Sequence, residues 1–176
     1  MKSGKLIPAC IIFVALIVPA LVYGRTDQFD KAMAPVLDEY LKIHDALAAD
    51  KTDGVKIAAE QIVILADKAG PNTVTGEHKD HYRHVPIKIK KAAQDLAQRK
   101  DLGAMREAFK GLSRPMAMWA TMSKPKGVYV VYCSMQSASW LQKDKAIRNP
   151  YHGSQMLRCG EIVGGEDHDK GSLGQH

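Results

Sequence analysis

Most of this chain carries apolar residues at the alternating spacings of three and four that fill one face of an α-helix. Four such stretches cover residues 27–49, 55–69, 85–98 and 101–119, and short polar connectors separate them. Because an apolar stripe on a helix must pack against another element, the pattern predicts a mainly α protein built as an antiparallel four-helix bundle.

The helical pattern stops before residue 124. After the sequence SKPKG, residues 128–132 form a β-branched and aromatic run, which predicts a short strand. Residues 164–176 are rich in glycine and charged side chains, which predicts a flexible tail. We therefore expect one domain over residues 25–163, in which the bundle carries a short C-terminal appendage of strand and loop.

Residues 1–24 have the pattern of a secretory signal peptide. Lys2 and Lys5 precede an apolar run over residues 6–20, and small residues stand near the usual cleavage positions. The run is short for a transmembrane helix, so we expect no stable membrane insertion after cleavage. Export would place the mature protein in an oxidising compartment, where thiols can pair, bind metal or react.

The composition of the expected mature chain argues against two functional classes. Removing Lys2 and Lys5 lowers the formal charge from +6 to +4, and the basic residues are interleaved with acidic residues along the helices. This pattern is typical of a solvated surface, so we expect no nucleic-acid partner. The chain also lacks Gly-x-Ser-x-Gly, a phosphate loop and His-Glu-x-x-His, and we expect no enzymatic activity.

The segment from residue 130 to residue 163 holds the two cysteines that remain after signal cleavage, each near a methionine. Cys133 and Met135 lie two apart, a spacing that puts both on one face of a strand. Met156 and Cys159 lie three apart, which stacks them on a helical turn. A turn that begins at Asn149 could bring these four sulfur atoms together. Soft donors of this kind select Cu(I) and related ions over hard cations such as Ca²⁺.

Three interpretations of the two thiols stay open from the residues alone. Cys133 and Cys159 could form a disulfide, as is common in exported proteins. They could be thiolate ligands in a metal site. They could also be free thiols in a methionine-rich part of the core. The first two exclude each other at any one time, because a disulfide sulfur is no longer a thiolate ligand.

Histidines are weaker candidate ligands. His78, His81 and His84 are spaced by three in the connector before the third helix, and could bind Zn²⁺ or Cu²⁺ if that connector were helical. His44 lies on the apolar stripe of the first helix, where a buried histidine with a hydrogen-bond partner is the simpler interpretation. His152 lies inside the cysteine-containing segment and is a further candidate.

The cysteine-containing segment resembles the closing motif of the domain of unknown function 3347 family. That motif runs Cys-Pro-Met, then Trp-Leu, then Asn-Pro-Tyr with an aromatic residue and glycine, then Met-Leu and Cys-Gly. The matching residues here are Cys133, Met135, Trp140, Leu141, Asn149, Pro150, Tyr151, Gly153, Met156, Leu157, Cys159 and Gly160. Ser134 replaces the proline of the motif, and His152 stands where an aromatic residue is more usual. Residues 40–59 and 101–113 also resemble helical segments of the family.

The resemblance implies a role in heavy-metal handling. The family's domain occurs alone in exported bacterial proteins and also at the end of periplasmic adaptor subunits of copper and silver efflux pumps. By that resemblance we expect a periplasmic protein of the Gram-negative envelope, with Cu(I) or Ag(I) bound by Cys133, Met135, Met156 and Cys159. Its partner would be an efflux adaptor or another envelope protein. The alternative is a metal-free interaction module, in which a Cys133–Cys159 disulfide pins the C-terminal segment to the bundle.

Overall fold

The computed structural model describes residues 26–74 and 79–165. The predicted signal peptide, His78 and residues 166–176 of the predicted tail lie outside the described residues. Within the two described ranges, none of the helices combines the length and the hydropathy that are needed to cross a bilayer.

The described chain is mainly helical and ends in a small sheet. The helices are α1 (Thr26–Ala48), α2 (Val55–Ala69), the one-turn α3 (Lys79–Tyr82), α4 (Val85–Ala97) and α5 (Leu102–Ser123). The strands are β1 (Tyr129–Cys133), β2 (Ala138–Gln142) and β3 (Glu161–Gly165), and short 3₁₀ helices cover Pro71–Thr73 and Gly153–Gln155. Helices α1, α2, α4 and α5 pack in that order, and α5 closes back on α1. The predicted four-helix bundle is therefore confirmed.

Local sequence explains how α5 begins and how far it extends. Asp101 caps the helix by accepting a hydrogen bond from the Ala104 N–H at 2.8 Å. Pro115 lies inside the helix and does not end it, since α5 runs on to Ser123. The long α5 can therefore contact both α4 and the C-terminal sheet.

Tyr40 joins the bundle to the sheet inside the core. It is fully buried, and its hydroxyl shares a hydrogen bond with Ser113 Oγ at 2.7 Å and accepts one from the Leu141 N–H at 3.2 Å. Its ring stacks on Phe109 with centroids 4.9 Å apart. Burial raises the pKa of Tyr40, so the hydroxyl stays protonated and keeps its place between α1, α5 and β2.

The sheet has the strand order β2-β1-β3, and both pairings are antiparallel. The predicted strand is confirmed as β1, whereas the sequence pattern does not predict β2 or β3. Gly164 and Gly165, the first residues of the segment interpreted as a tail, belong to β3. The register places Cys133 opposite Ala138 and Tyr132 opposite Glu161. The end of the central strand therefore lies beside the chain that enters β3.

Arg106 fastens the loop between β2 and β3 to the helical bundle. Its Nε donates to the Pro150 carbonyl oxygen at 2.9 Å, and one terminal nitrogen donates to the Leu47 carbonyl oxygen at 2.8 Å and to Asp50 Oδ1 at 2.6 Å. The other carboxylate oxygen of Asp50 accepts a hydrogen bond from the Ser154 N–H at 3.0 Å. We call this pair the Asp50–Arg106 clamp, because its charged groups satisfy backbone atoms of both α1 and the loop.

Gly153 lies against the clamp and has no room for a side chain. Its φ is +58°, and a Cβ built on it would overlap Asp50 Oδ1 and a terminal nitrogen of Arg106. We expect Gly153→Ala to lower the free energy of unfolding by about 2–4 kcal/mol, because it adds left-handed backbone strain and displaces a charged hydrogen bond. Urea titration measures the loss.

Gly111 provides the matched control for this substitution. It lies inside α5, and a Cβ built on it meets no other atom within 4 Å. Gly111→Ala should raise the free energy of unfolding by about 0.5–1 kcal/mol, since alanine favours the helix. Equal stability of Gly153→Ala and the wild type would contradict the claim that a side chain at position 153 disrupts the Asp50–Arg106 clamp.

Candidate metal centre

Three side chains with metal-binding atoms meet at the end of the central strand. Cys133 is the last residue of β1, Cys159 precedes β3, and His152 lies in the loop between β2 and β3. One ligand atom from each lies within 4.8 Å of the other two. The two sulfur atoms are 3.0 Å apart, and both cysteines carry free thiols. Cys133 is buried while His152 and Cys159 are partly exposed, so this Cys/His/Cys group opens toward solvent on one side.

Strand pairing and one close backbone approach place Cys159 beside Cys133. Because Tyr132 pairs with Glu161 in an antiparallel register, the next residue pair brings Gly160 opposite Cys133, and Cys159 follows one residue further along. Gly160 has a φ of +144°, and a Cβ built on it would lie 2.6 Å from the Trp140 ring. A side chain at position 160 would therefore push this stretch of chain away from the sheet and separate the two sulfurs.

The two thiols differ in pKa. Burial alone raises the pKa of Cys133, but hydrogen bonds outweigh it and lower that pKa. The donors are the Cys159 thiol, the backbone N–H groups of Gln136 and Met135, and the side chain of Asn149. The pKa of Cys159 is raised, first because its thiol donates to Cys133, and then by burial and the nearby charge. Cys133 therefore has the lower pKa of the pair and loses its proton before Cys159, and the thiolate is the form that ligates metal.

Gln136 forms a hydrogen bond with the imidazole of His152. The side-chain nitrogen of Gln136 lies 3.1 Å from His152 Nε2. An amide nitrogen only donates, so Nε2 is the acceptor of this hydrogen bond. Its lone pair is then engaged, and an ion that binds Nε2 would have to displace Gln136. His152, a weaker candidate from the sequence, thus lies in the group together with the two cysteines.

The two methionines of the predicted four-sulfur cluster lie at the surface beside the thiols. Met135 is 63% exposed in the turn that follows Cys133, and Met156 is 38% exposed. A hydrogen bond from the Cys159 N–H to the Met156 carbonyl oxygen closes a turn at 3.0 Å. The helical turn predicted for residues 156–159 is wrong, because Met156 leaves helical geometry at φ −147° and ψ 51°. Ligation by the thioethers stays a prediction.

The remaining candidate histidines have different surroundings. His44 is buried in α1, where Nε2 lies 2.9 Å from the Arg148 carbonyl oxygen and Nδ1 lies 3.2 Å from Asp45 Oδ1. Hydrogen bonds thus engage both ring nitrogens, which fits the simpler interpretation of a structural histidine. His84 is exposed at the start of α4, and the side chain of His81 is outside what the structure describes. Metal binding by His81 and His84 stays a prediction.

The side chains that hold the group in place leave little signal in the sequence. Arg106 and Asp50 have the pattern of ordinary solvated charges, and Asn149 that of a turn former. The only local indication is Gly153, a glycine three residues beyond the Asn-Pro pair. A side chain at position 153 would collide with Arg106 and Asp50, which are remote from it along the chain, so the local sequence does not show why a glycine is needed there.

Fold and site together define a class of protein, a small helical-bundle domain whose C-terminal sheet carries a Cys/His/Cys group that could hold a metal ion. The chain belongs to the family described as Protein of unknown function (DUF3347), whose model matches residues 36–127 of the 176. The predicted family membership is confirmed. The match ends before β1, so Cys133, His152 and Cys159 all lie beyond it. Neither the curated proteins nor the solved structures yield a match.

The clamp beside this group makes stability depend on pH through Asp50. Hydrogen bonds from Ser154 and then from Arg106 lower the pKa of Asp50 to about 2. An unfolded aspartate titrates near about 3.9, so this stabilisation is complete above about pH 5 and is lost as the pH falls through about 2. We expect Asp50→Asn to lower the melting temperature at neutral pH, and the difference from wild type to shrink between about pH 4 and pH 2.

Asp53, an exposed carboxylate in the same loop, is the control for that pH series. Asp53→Asn should melt close to the wild type at every pH. A difference between Asp50→Asn and wild type that stays constant from neutral to acid pH would show that the carboxylate charge has no role in the clamp.

Proposed function

We propose that this protein is an exported accessory protein that binds Cu(I) or Ag(I) through Cys133, His152 and Cys159. The observation that supports it is the approach of two sulfurs and one imidazole nitrogen to within 4.8 Å of one another. At metal–sulfur lengths of about 2.3 Å, two thiolates around one ion are roughly 3.5–4 Å apart. The sulfurs, now 3.0 Å apart, would therefore separate by only about 0.5–1 Å on binding.

The donor set favours a soft ion. Two thiolates and one imidazole suit Cu(I), Ag(I) and Zn²⁺, and they do not suit Ca²⁺ or Mg²⁺. Among the described residues, no aspartate or glutamate belongs to the group. Met135 and Met156 lie exposed beside the thiols, where thioethers would add affinity for a monovalent soft ion over Zn²⁺.

The partial exposure of the group suits exchange of the ion more than permanent storage. Cys159 and His152 are partly exposed, so a second protein can reach the ion from that side. We propose that the protein buffers the ion in the periplasm and passes it to an efflux adaptor or another envelope protein. In this role it needs no enzymatic activity.

Metal titration of the reduced protein tests this proposal. We expect one Cu(I) or Ag(I) per chain and no binding in the Cys133→Ser, Cys159→Ser double variant. His152→Ala should weaken the affinity at least about tenfold, because it removes one of three ligands. Competition with a chromophoric Cu(I) chelator measures each affinity, and a Met135→Leu, Met156→Leu double variant tests the thioethers.

His84→Ala is the matched control, since it also removes an imidazole but from an exposed position at the start of α4. Its affinity should equal that of the wild type. Absence of Cu(I) and Ag(I) binding at micromolar metal would refute the proposal. Tighter binding of Zn²⁺ than of Cu(I) would refute the assignment of a monovalent soft ion.

The distance of 3.0 Å between the sulfurs also supports a second function, a metal-free interaction module with a Cys133–Cys159 disulfide. A bridge requires a distance of about 2.05 Å, which the pair reaches by a movement of about 1 Å. It would close a loop between two residues that are 26 apart, and would add about 3 kcal/mol on the chain-entropy estimate. The partner would then be another envelope protein.

Intact mass after thiol alkylation separates the two functions. Protein isolated from its native compartment without reductant is alkylated and weighed, then reduced and alkylated again. The metal-binding function predicts two alkyl groups in the first step. The disulfide function predicts none in the first step and two after reduction, because bridged sulfurs do not react.

A further inference from the structure

One buried side chain forms hydrogen bonds with the backbone of two members of the Cys/His/Cys group and lowers the pKa of the third. Asn149 is completely buried in the loop between β2 and β3. Its Nδ2 donates to the Cys159 carbonyl oxygen at 2.7 Å, and its Oδ1 accepts a hydrogen bond from the His152 N–H at 3.1 Å. Its side chain is also one of the causes that lower the pKa of Cys133.

The backbone of Asn149 fixes the same turn. Its N–H donates to the Leu157 carbonyl oxygen at 2.8 Å, and its carbonyl oxygen accepts from the Gly153 N–H at 3.0 Å. Oδ1 accepts a second hydrogen bond, from the Tyr151 N–H at 2.8 Å. The residue therefore ties the loop that carries His152 to the chain that carries Cys159, with no polar atom of its side chain left without a partner.

We propose that Asn149 is the positioning residue that assembles Cys133, His152 and Cys159 before an ion binds. The proposal rests on the proposed function only where it concerns metal affinity. A carboxamide supplies two N–H donors and a carbonyl acceptor at one point. Aspartate has the same shape and keeps the acceptor, but it lacks the donors and adds a charge beside the sulfur of Cys133. Hydrogen bonds in a buried site are strong, and losing a partner there has a large effect.

Gln142 offers a matched control in the same part of the fold. It is also a buried amide, 2% exposed, and its oxygen accepts from Trp140 Nε1 at 2.9 Å and from the Arg148 N–H at 3.2 Å. Its nitrogen donates to the Ala146 carbonyl oxygen at 3.2 Å. No hydrogen bond of Gln142 reaches Cys133, His152 or Cys159. Gln142→Glu thus makes the same chemical change away from the group.

The equilibrium between the dithiol and the disulfide of Cys133 and Cys159 measures how well the two sulfurs are positioned, and it needs no metal. Equilibration with glutathione follows the exchange of protein dithiol and glutathione disulfide for protein disulfide and two molecules of reduced glutathione. The equilibrium constant gives the effective concentration of one thiol at the other, which falls when the two sulfurs are held less well. We expect Asn149→Asp to lower this constant about tenfold, the size of one lost buried hydrogen bond. Gln142→Glu should stay within about twofold.

Cu(I) affinity of the same proteins provides the second measurement, with an expected loss of about tenfold in Asn149→Asp and little change in Gln142→Glu. If Asn149→Asp behaves like Gln142→Glu in both measurements, Asn149 only stabilises the fold and the proposal is overturned. If Asn149→Asp does not fold by circular dichroism, the neutral Asn149→Gln replaces it. A wild type that binds no metal, with the glutathione constant still lowered in the variant, would refute the proposed function and leave the positioning role supported.

Discussion

The contact of Arg106 with Asp50 and two backbone carbonyls is the constraint on which the C-terminal half depends. The guanidinium joins the end of α1, the connector after it and the loop between β2 and β3. The loop is remote along the chain from the other two pieces, and it has no strand or long helix of its own to hold it. A guanidinium suits this task, because its donors lie in a rigid plane and can serve several acceptors at once. Other hydrogen bonds to the loop, such as those from Tyr151 to Ser139 and between His44 and Arg148, reach a single carbonyl each, whereas Arg106 joins two backbone carbonyls and a carboxylate.

Three different kinds of constraint converge on the Cys/His/Cys group. The pairing of β1 with β3 brings Cys159 beside Cys133. The clamp holds the loop against the bundle, and the hydrogen bonds of Asn149 set its course near His152. Each constraint fixes one ligand relative to another part of the fold, so strand pairing and hydrogen bonds organise the group. Such preorganisation reduces the ordering cost when an ion binds.

The helices could be predicted from the sequence because their signal is local, and the site could be predicted only in part. The stripe that includes Met33, Tyr40 and Leu47 repeats every three or four residues, and all three are buried as expected. By contrast, β2 reads ASWLQ and β3 reads EIVGG, and neither alternates cleanly. Their positions depend on pairing with β1, which is a long-range contact. The proximity of the two thiols followed from their motif, whereas the place of His152 depended on the clamp.

The two cysteines of the site differ in solvent exposure and in pKa. Cys133 is buried and its pKa is lowered, whereas Cys159 is partly exposed and its pKa is raised. An approaching ion or oxidant therefore reaches Cys159 and His152 first, and the buried sulfur of Cys133 binds or reacts after them. Capture of an ion or formation of a bridge both require Cys159 to lose its proton. The two outcomes thus compete for the same deprotonated sulfur, and whichever reactant is present in the compartment decides between them. This competition explains why one motif supports both proposed functions.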